Sequence, residues 1–312
     1  MSNRFLITGA NGYIGKYLTT YLKKNKIDVY GCDKKGFTEK KFIKSDFSSD
    51  KVIDFIKLNK INHIIHLAAI TTINDNKKNS IKCHNNNYIK SRIFLQKLNA
   101  KKIKIKKFIF SSSAAVYGLC KNHKIKENFK PNPISAYGKS KYMFEVFLKK
   151  EKLKNLSNVC VLRFFNIVGG NLLFLNDKKT LLNKLYLANK KNRTFYINGN
   201  DNPTKDGTNI RDFIDLEILS QFILLIIQKD LKKKYLIFNV GSGIGKSILE
   251  IIDQLNKNNF KIKYLFKKRK SIDIPHSISD NTKMLNLLRI KRNKLDIFTN
   301  LKIYFTKWKK IY

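Results

Sequence analysis

The amino-acid sequence predicts an α/β fold, with a Rossmann-type doubly wound parallel sheet followed by a smaller, mixed α/β C-terminal domain. In the first half of the 312-residue chain, apolar runs alternate with segments of helical periodicity, the pattern of parallel strands joined by crossover helices. A glycine-rich segment directly follows the first apolar run. Beyond about residue 170 the pattern becomes irregular. We therefore expect a first domain over residues 1–170, a second over 171–312, and a return of about 208–240 to the first.

Short apolar runs predict the strands, and helical spacing predicts the segments between them. Ile14, Leu18 and Leu22 recur at the spacing of one helix face, and Asp50 is expected to cap a second helix. The expected strands are Arg4–Thr8, Asp28–Asp33, His63–Leu67, Phe108–Ser112, Asn158–Arg163, Phe195–Ile197 and Leu236–Val240. The later expected helices are Tyr137–Lys150, Leu181–Lys190, Leu216–Gln228 and Ser247–Leu255.

The formal net charge of +42 suggests either a nucleic-acid partner or compositional drift. Lysine greatly outnumbers arginine and is spread along the whole chain, and Asn and Ile, also products of A- and T-rich codons, are plentiful. We therefore favour drift and expect no nucleic-acid partner. No apolar run is long enough for a membrane span, and no signal peptide is recognised. The cysteines and histidines show no metal-ligand or disulfide spacing, which predicts a cytoplasmic protein without a metal.

Gly9, Gly12 and Gly15 form a GxxGxxG loop between a predicted strand and a predicted helix. Glycine is needed where the backbone turns tightly and a pyrophosphate approaches a helix N-terminus. Asp33 ends the next strand, where a carboxylate accepts hydrogen bonds from ribose hydroxyls and repels a 2′-phosphate. The pattern predicts NAD as cofactor, although the adjacent Lys34 and Lys35 leave NADP open.

Tyr137 and Lys141 are four residues apart and therefore share one helix face. A free tyrosine ionises near pH ~10. A fixed ammonium beside it, together with a cationic nicotinamide, is expected to lower that pKa so that the phenolate can act as a base. Ser113 closes the preceding buried strand, where its hydroxyl can bind the reacting oxygen. We predict that Ser113, Tyr137 and Lys141 are catalytic.

These motifs, together with several longer segments, resemble one known family. The matching segments are residues 45–47, 66–69, 111–118, 137–141, 163–169 and 198–214, with Asn87. The chain resembles the extended short-chain dehydrogenase/reductases, which include NAD-dependent epimerases and dehydratases, and most of all the UDP-glucose 4-epimerases. The resemblance implies that NAD is bound by Gly9, Gly12, Tyr13, Ile14, Gly15, Asp33, Asp46, Phe47, Leu67, Ala68, Ala69, Asn87, Tyr137, Lys141 and Phe165.

The same resemblance implies the reaction and the substrate. NAD transiently oxidises C4 of a nucleotide sugar of the UDP-glucose/UDP-galactose type to a 4-keto sugar, which rotates and is reduced on its opposite face. The implied substrate residues are Ser113, Asn166, Arg211, Arg269, Lys270, Asp273 and Ser277. A homodimer packed through helices near Ser80–Asn99 and Tyr137–Lys150 is also implied.

Departures from the family pattern leave alternatives open. Ala114 and Ala115 stand where dehydratases and decarboxylases carry acids, which argues against those reactions. Lys270 replaces the arginine of a phosphate-binding motif, so this contact is either weaker or moved to Arg269. The resemblance therefore indicates the reaction more firmly than the identity of the nucleotide. Ser277 stands where glucose-specific enzymes carry a bulky tyrosine, which suggests either that UDP-N-acetylglucosamine is admitted or that the position has drifted. Another nucleotide-sugar epimerase or reductase and a non-catalytic dinucleotide sensor remain rivals.

The segment 241–247 superficially suggests a phosphate-binding loop. The required spacing would place a glycine at position 240, which is Val240. We therefore interpret it as a strand-to-helix turn.

Overall fold

The computed structural model describes residues 3–36, 40–71, 77–120, 124–151, 154–170, 180–231, 233–269, 274–298 and 301. Contacts divide the chain into two compact units. Unit 1 comprises Met1–Gly118, Lys130–Arg163 and Ile223–Phe238, and unit 2 comprises Leu119–Phe129, Phe164–Phe222 and Asn239–Tyr312.

The bounds of the elements are as follows. The strands are β1 (Arg4–Thr8), β2 (Asp28–Asp33), β3 (Phe42–Lys44), β4 (His63–His66), β5 (Ile105–Ser113), β6 (Leu156–Phe164), β7 (Asn166–Val168), β8 (Phe195–Asn198), β9 (Ile210–Asp215), β10 (Tyr235–Val240), β11 (Gly245–Ser247), β12 (Tyr264–Lys267) and β13 (His276–Ser277). The α-helices are α1 (Tyr13–Lys24), α2 (Asp50–Leu58), α3 (Lys77–Cys83), α4 (Lys90–Ala100), α5 (Ala136–Lys150), α6 (Leu181–Lys190), α7 (Leu216–Gln228), α8 (Ile248–Asn256) and α9 (Thr282–Leu288). A π-helical segment, His84–Ile89, joins α3 to α4.

Unit 1 is built on a seven-stranded sheet in the order β10-β6-β5-β4-β1-β2-β3. β1 pairs in parallel with both β2 and β4, so the chain crosses over between neighbouring strands and the sheet is doubly wound. The central strands are buried along almost their whole length, as expected for parallel strands covered by helices on both faces. The predicted fold class is therefore confirmed for this unit.

His66, at the end of β4, lies in the aromatic core of unit 1. Its ring packs against Phe47, Phe94, Phe110 and Phe144. Burial lowers the pKa of His66 to about 3, so the ring is neutral at physiological pH. Thr8 Oγ1 and Ser91 Oγ lie within hydrogen-bond distance of its two ring nitrogens. The histidine therefore lies in the core and holds β4 to β1 and α4.

Unit 2 contains smaller sheets. β9 pairs with β11, β13 and β7, and β8 pairs in parallel with β12. Residues 119–129, 164–170, 208–222 and 239–240 belong to this unit, although they were expected in the first domain. For 164–170 and 208–222 the physical reason is the pairing of β7 with β9, which no local pattern reveals. Backbone hydrogen bonds join Ile125 to Ile278 and Asp280 and so attach 119–129 to the same unit.

A buried carboxylate organises the centre of unit 2. Both oxygens of Asp212 are engaged, accepting hydrogen bonds from the backbone N–H and hydroxyl of Ser242 and of Ser279 and from the N–H of Gly243. Burial raises the pKa of Asp212, which the same hydrogen bonds oppose. This cluster attaches two loops to β9 and thereby determines where the neighbouring Arg211 lies.

Two predicted helix starts are revised. Ser49, rather than Asp50, occupies the N-cap of α2, and Asp50 is the first helical residue, where its charge complements the helix dipole. α8 begins one residue later than predicted because Ser247 is its cap and forms a reciprocal capping box with Glu250. The segment 241–247 thus holds a turn and the short strand β11 before α8. Within the described ranges, no helix is both long and apolar enough to cross a bilayer.

Candidate active site

The loop between β1 and α1 approaches the end of β4 very closely. Gly9 has a φ of +71°, and a Cβ on it would lie 2.8 Å from backbone atoms of Ala68. A Cβ on Gly15 would lie 2.2 Å from the carbonyl oxygen of Gly9. Gly12 precedes α1, and no side chain caps that helix. The loop is therefore a cradle without side chains at a helix N-terminus, the geometry that suits a pyrophosphate.

A cavity of about 240 Å³ opens beside this loop. Asp33 borders it, and its carboxylate is held by the backbone N–H groups of Asn11 (3.0 Å) and Lys35 (2.9 Å). Further predicted cofactor residues on its wall are Gly9, Gly12, Phe47, Leu67, Ala68 and Ala69. Its wall also includes Lys34 and Ser45, together with Cys32, Ile70 and Asn86, which the sequence did not single out.

The other predicted cofactor residues do not line this cavity. They are Tyr13, Ile14, Gly15, Asp46, Asn87, Tyr137, Lys141 and, in unit 2, Phe165. The amide of Asn87 is occupied by the protein, because it bonds both backbone groups of Ile70 and the hydroxyl of Ser140. Asn87 thus holds the cavity wall in place.

Asp46 lies between Ser45 and Phe47, which both line the cavity, and it pairs with a lysine of the cavity wall. Burial raises its pKa, but hydrogen bonds from Lys90, Ser48 and Lys34 together hold the pKa of this carboxyl well below its ordinary value. Nζ of Lys34 lies 3.1 Å from Oδ2 of Asp46. Lys34, one of the two lysines that could accommodate the 2′-phosphate of NADP, is therefore already paired with a carboxylate, which favours NAD.

Tyr137 and Lys141 lie one turn apart on α5, as predicted. The helix begins after Ser135, whose hydroxyl accepts a hydrogen bond from the N–H of Gly138 at 3.0 Å. Nζ of Lys141 donates to the carbonyl oxygen of Ser111 at 2.7 Å and lies 5.8 Å from the centre of the Tyr137 ring. The hydroxyl of Ser113 is hydrogen-bonded to Tyr137. Unit 1 therefore brings Ser113, Tyr137 and Lys141 together.

The pKa values of this cluster differ from the sequence-based expectation. Burial raises the pKa of Tyr137 to about 12, against the lowering effect of its hydrogen bond with Ser113. Burial lowers the pKa of Lys141 to about 7, although Glu145 and Cys83 raise it. The expected lowering of the Tyr137 pKa depends on a cationic nicotinamide as well as on Lys141, and in the ligand-free chain desolvation outweighs the charges present.

Unit 2 holds a separate cavity of about 310 Å³, bordered by Asn166 and Arg211 among the predicted substrate residues. Nη1 of Arg211 donates to the carbonyl oxygens of Ile274 (2.5 Å) and Ile210 (2.9 Å), which fixes the guanidinium at the end of β9. Ser277 pairs with Arg211 between β13 and β9. The cavity wall also includes Leu181, Lys184, Phe195, Tyr196, Ile197, Asn198, Asn209, Phe213 and Ile248.

The remaining predicted substrate residues lie elsewhere. Arg269 is not on the cavity wall, and its Nε lies 4.0 Å from Oδ2 of Asp201. Lys270 and Asp273 lie outside the described residues. Lys184 and Asn209 were missed by the sequence analysis, since neither belongs to a recognised motif and lysine is abundant throughout the chain. In the described part of the chain, no cluster of His, Cys, Asp and Glu could hold a metal ion.

The fold and the two sites together define a Rossmann-fold dinucleotide-binding protein with the Ser–Tyr–Lys cluster of a short-chain dehydrogenase/reductase. Comparison with known proteins agrees, since the model of the NAD dependent epimerase/dehydratase family matches residues 5–241. The chain belongs to this family.

Individual relatives extend the match over nearly the whole chain. A UDP-glucose 4-epimerase of Lactobacillus helveticus is 31% identical over 301 residues, which cover 91% of each protein. A UDP-glucose 4-epimerase of Mycoplasma genitalium is 33% identical over 275 residues, or 81% of each. The crystal structure of a UDP-glucose 4-epimerase from Stenotrophomonas maltophila with bound NAD and formylated UDP-arabinopyranose has a TM-score of 0.87 at 22% identity and covers 100% of this chain and 98% of that one. The last of these supports the fold alone.

Proposed function

We propose that this protein is an NAD-dependent nucleotide-sugar 4-epimerase that interconverts UDP-glucose and UDP-galactose. The observation that carries the proposal is the match over 91% of both chains to a UDP-glucose 4-epimerase, combined with an intact Ser113–Tyr137–Lys141 cluster. A dinucleotide sensor has no use for such a cluster, which argues against that rival. Ala114 and Ala115, next to Ser113, cannot transfer protons, which argues against water loss and decarboxylation.

The residues of unit 1 fit NAD. The glycine cradle at the start of α1 suits the pyrophosphate, Asp33 suits the adenosine ribose, and residues 67–70 also line the cavity. We assign cofactor binding to unit 1 and nucleotide-sugar binding to unit 2, in keeping with the two predicted domains. When bound, NAD supplies the acceptor and later the donor of the hydride exchanged with C4 of the sugar.

The proton steps fall to the residues of the cluster. Tyr137 takes the proton of the sugar 4-hydroxyl as C4 is oxidised and returns it when the 4-keto sugar is reduced. Ser113 bonds the phenolic oxygen and orients it toward the reacting oxygen. A protonated Lys141 stabilises the phenolate, and its contact with the Ser111 carbonyl holds the amine beside the tyrosine. Burial raises the pKa of Tyr137 in the ligand-free chain. Ionisation of the phenol near neutral pH therefore needs a further positive charge beside it, as a cationic nicotinamide would provide.

We assign the diphosphate of the nucleotide sugar to the cavity of unit 2. Arg211 presents a guanidinium whose orientation is set by backbone carbonyls, and Lys184 adds a second cation on the same wall. Asn166 borders the cavity, and its Nδ2 donates to the Asp212 carbonyl at 3.1 Å. Arg269, Lys270 and Asp273 complete the proposed substrate set, with Ser277 next to the sugar.

Ser277 supports a second candidate substrate. This small, half-buried residue pairs with Arg211 between the neighbouring strands β13 and β9. It leaves more room for an N-acetyl group on the sugar than a bulky residue would. The alternative is that UDP-N-acetylglucosamine is the substrate, or that both sugars are accepted.

We further propose a homodimer in the cytoplasm. Ile81 on α3 and Met143 on α5 expose apolar side chains, although the two helices pack against each other within unit 1. A second copy covering this face would bury them. The four free cysteines agree with a reducing compartment.

The test uses the purified protein. Denaturation should release NAD, and NMR should show that the native protein equilibrates UDP-glucose with UDP-galactose without added cofactor. UDP-N-acetylglucosamine in a parallel tube distinguishes the second candidate. Failure to interconvert any C4 epimers by a protein that retains NAD would overturn the epimerase proposal and favour the sensor.

A further inference from the structure

The cavity of unit 2 has polar and apolar sides. Phe195, Tyr196 and Ile197 of β8 contribute an apolar edge, whereas Lys184 and Arg211 contribute the two cations. The described cavity wall contains no carboxylate. Such a wall suits a ligand with a flat, weakly polar part and an anionic part, which is the chemistry of a nucleoside diphosphate.

Asn209 lies on this wall with an unsatisfied acceptor. The residue is 8% exposed, and its Oδ1 is buried without a hydrogen-bond partner. It immediately precedes β9, two residues from Arg211. A buried carbonyl oxygen without a donor costs free energy, because it has given up its hydrogen bonds to water. Such a cost at a cavity wall is relieved if a ligand brings the missing donor.

Other asparagines in the unit make the contrast clear. Asn166, on the same wall, donates to the Asp212 carbonyl. Asn202 also has an unpaired Oδ1, but it is not part of the cavity wall, and its Nδ2 donates to the carbonyl of Gly207. Several other side-chain atoms of the described residues are also buried without a hydrogen-bond partner. Of the described residues that carry such an atom, only Asn209 lines one of the two cavities described above.

We propose that Asn209 is a nucleoside-recognition residue whose Oδ1 accepts a hydrogen bond from a donor on the nucleoside of the bound nucleotide sugar. The inference rests on the proposed function and assigns part of its specificity to this residue. The 2′- and 3′-hydroxyls of the ribose and the imide N–H of uracil are the donors that the nucleoside of uridine diphosphate offers. A nucleotide that lacks the relevant donor would leave Oδ1 unpaired and bind more weakly.

Calorimetric titration of the NAD-loaded protein with UDP tests this directly. Asn209→Ala should weaken UDP binding about 5- to 50-fold, without lowering the melting temperature of the protein before UDP is added, because an unpaired acceptor has been removed. Asn209→Leu keeps the number and branching of the side-chain heavy atoms but not the acceptor, and should behave in the same way. Asn202→Ala is the matched control, since it also removes a buried unpaired Oδ1 but lies off the cavity wall, and it should bind UDP like the unaltered protein.

Nucleotide analogues identify the donor. The 2′-deoxy and 3′-deoxy forms of UDP each remove one hydroxyl, and CDP removes the imide N–H. One of these should bind the unaltered protein more weakly than UDP by a factor that disappears in Asn209→Ala. Unchanged UDP affinity in both Asn209 variants, or full retention of every analogue's penalty, overturns the inference. An unaltered protein that binds no UDP overturns the proposed nucleotide as well, so the two failures are distinguishable.

Discussion

Arg163 and Glu145 form a buried ion pair behind the catalytic cluster of unit 1. Nη2 of Arg163 lies 2.7 Å from Oε2 of Glu145, and each side chain is 3% exposed. The hydroxyl of Ser112 also donates to Glu145, and the guanidinium lies 4.7 Å from the centre of the Tyr117 ring. Glu145 is one helical turn beyond Lys141 and raises the pKa of its amine. The pair therefore joins β6, β5 and α5 behind the active site.

Removal of one partner should leave an uncompensated buried charge. We expect Glu145→Gln to lower the free energy of unfolding by about 3–5 kcal/mol, as found for broken buried pairs. The double change Glu145→Gln with Arg163→Met should cost less than Arg163→Met and Glu145→Gln added together. Urea denaturation of the four proteins completes the cycle. Strictly additive losses would show that the two side chains are not coupled.

Loss of the phenolic hydroxyl should stop the reaction without disturbing the fold. Tyr137→Phe removes the group that exchanges a proton with the substrate, so kcat should fall about 10²- to 10⁴-fold. NAD released on denaturation and the melting temperature should stay unchanged. Tyr142→Phe, on the same helix, is the control and should retain activity. A Tyr137→Phe enzyme with normal kcat would eliminate the assigned base.

Lys141 should make the stability of the cofactor-free protein depend on pH. Its pKa is about 7 in the folded chain and about 10.4 when unfolded, so between these values only the unfolded chain holds the proton. Stability is therefore greatest above the unfolded pKa and falls as the pH drops toward 7, by up to about 1.4 kcal/mol per pH unit. Urea midpoints at pH 7, 8 and 9 measure the slope. Lys141→Met should flatten it, and an identical slope in that variant would contradict the depressed pKa.

Lys184 should contribute a salt-sensitive part of nucleotide affinity. Its ammonium is exposed on the wall of the unit 2 cavity, so we expect Lys184→Ala to weaken UDP binding about 3- to 10-fold at low salt and less at high salt. Lys191→Ala, about 10 Å further along the axis of the same helix, is the matched control. Equal losses in both variants would point to a general field of the basic chain instead of a local contact.

Strands and helices with strong local patterns were predicted well. β1, β2, α6 and α7 have the predicted bounds, because alternation, helical spacing and turn residues act over a few neighbours. The two- to four-residue strands β3, β7, β11, β12 and β13 were missed, and so was the six-residue strand β9. The pairing partners of β7, β12 and β13 are distant in sequence. Segments as short as the two- to four-residue strands also contain no periodicity of their own.

The candidate site shows the same division. The glycine loop, Asp33 and the Tyr137–Lys141 pair were recognisable because each role demands a particular residue at a particular spacing. Lys184 and Asn209 were not, since their importance comes only from the cavity that α6 and β9 enclose with β8. Asp46 was predicted to contact the cofactor from its motif, whereas its ion pairs with Lys34 and Lys90 appear only in the folded chain.

The sequence by itself determined the fold class, the glycine-rich loop and the choice of the groups proposed to exchange protons. These depend on local spacing and on residue chemistry, which the chain carries whether or not it is folded. Only the tertiary structure decided how the pKa values of ionisable side chains shift. Folding pairs Asp46 with lysines, which lowers its pKa. Folding also buries Lys141 and Tyr137, which lowers the pKa of the Lys141 amine and raises that of the Tyr137 hydroxyl. Desolvation and charge pairing depend on what surrounds a side chain in space, and a linear sequence does not contain those distances.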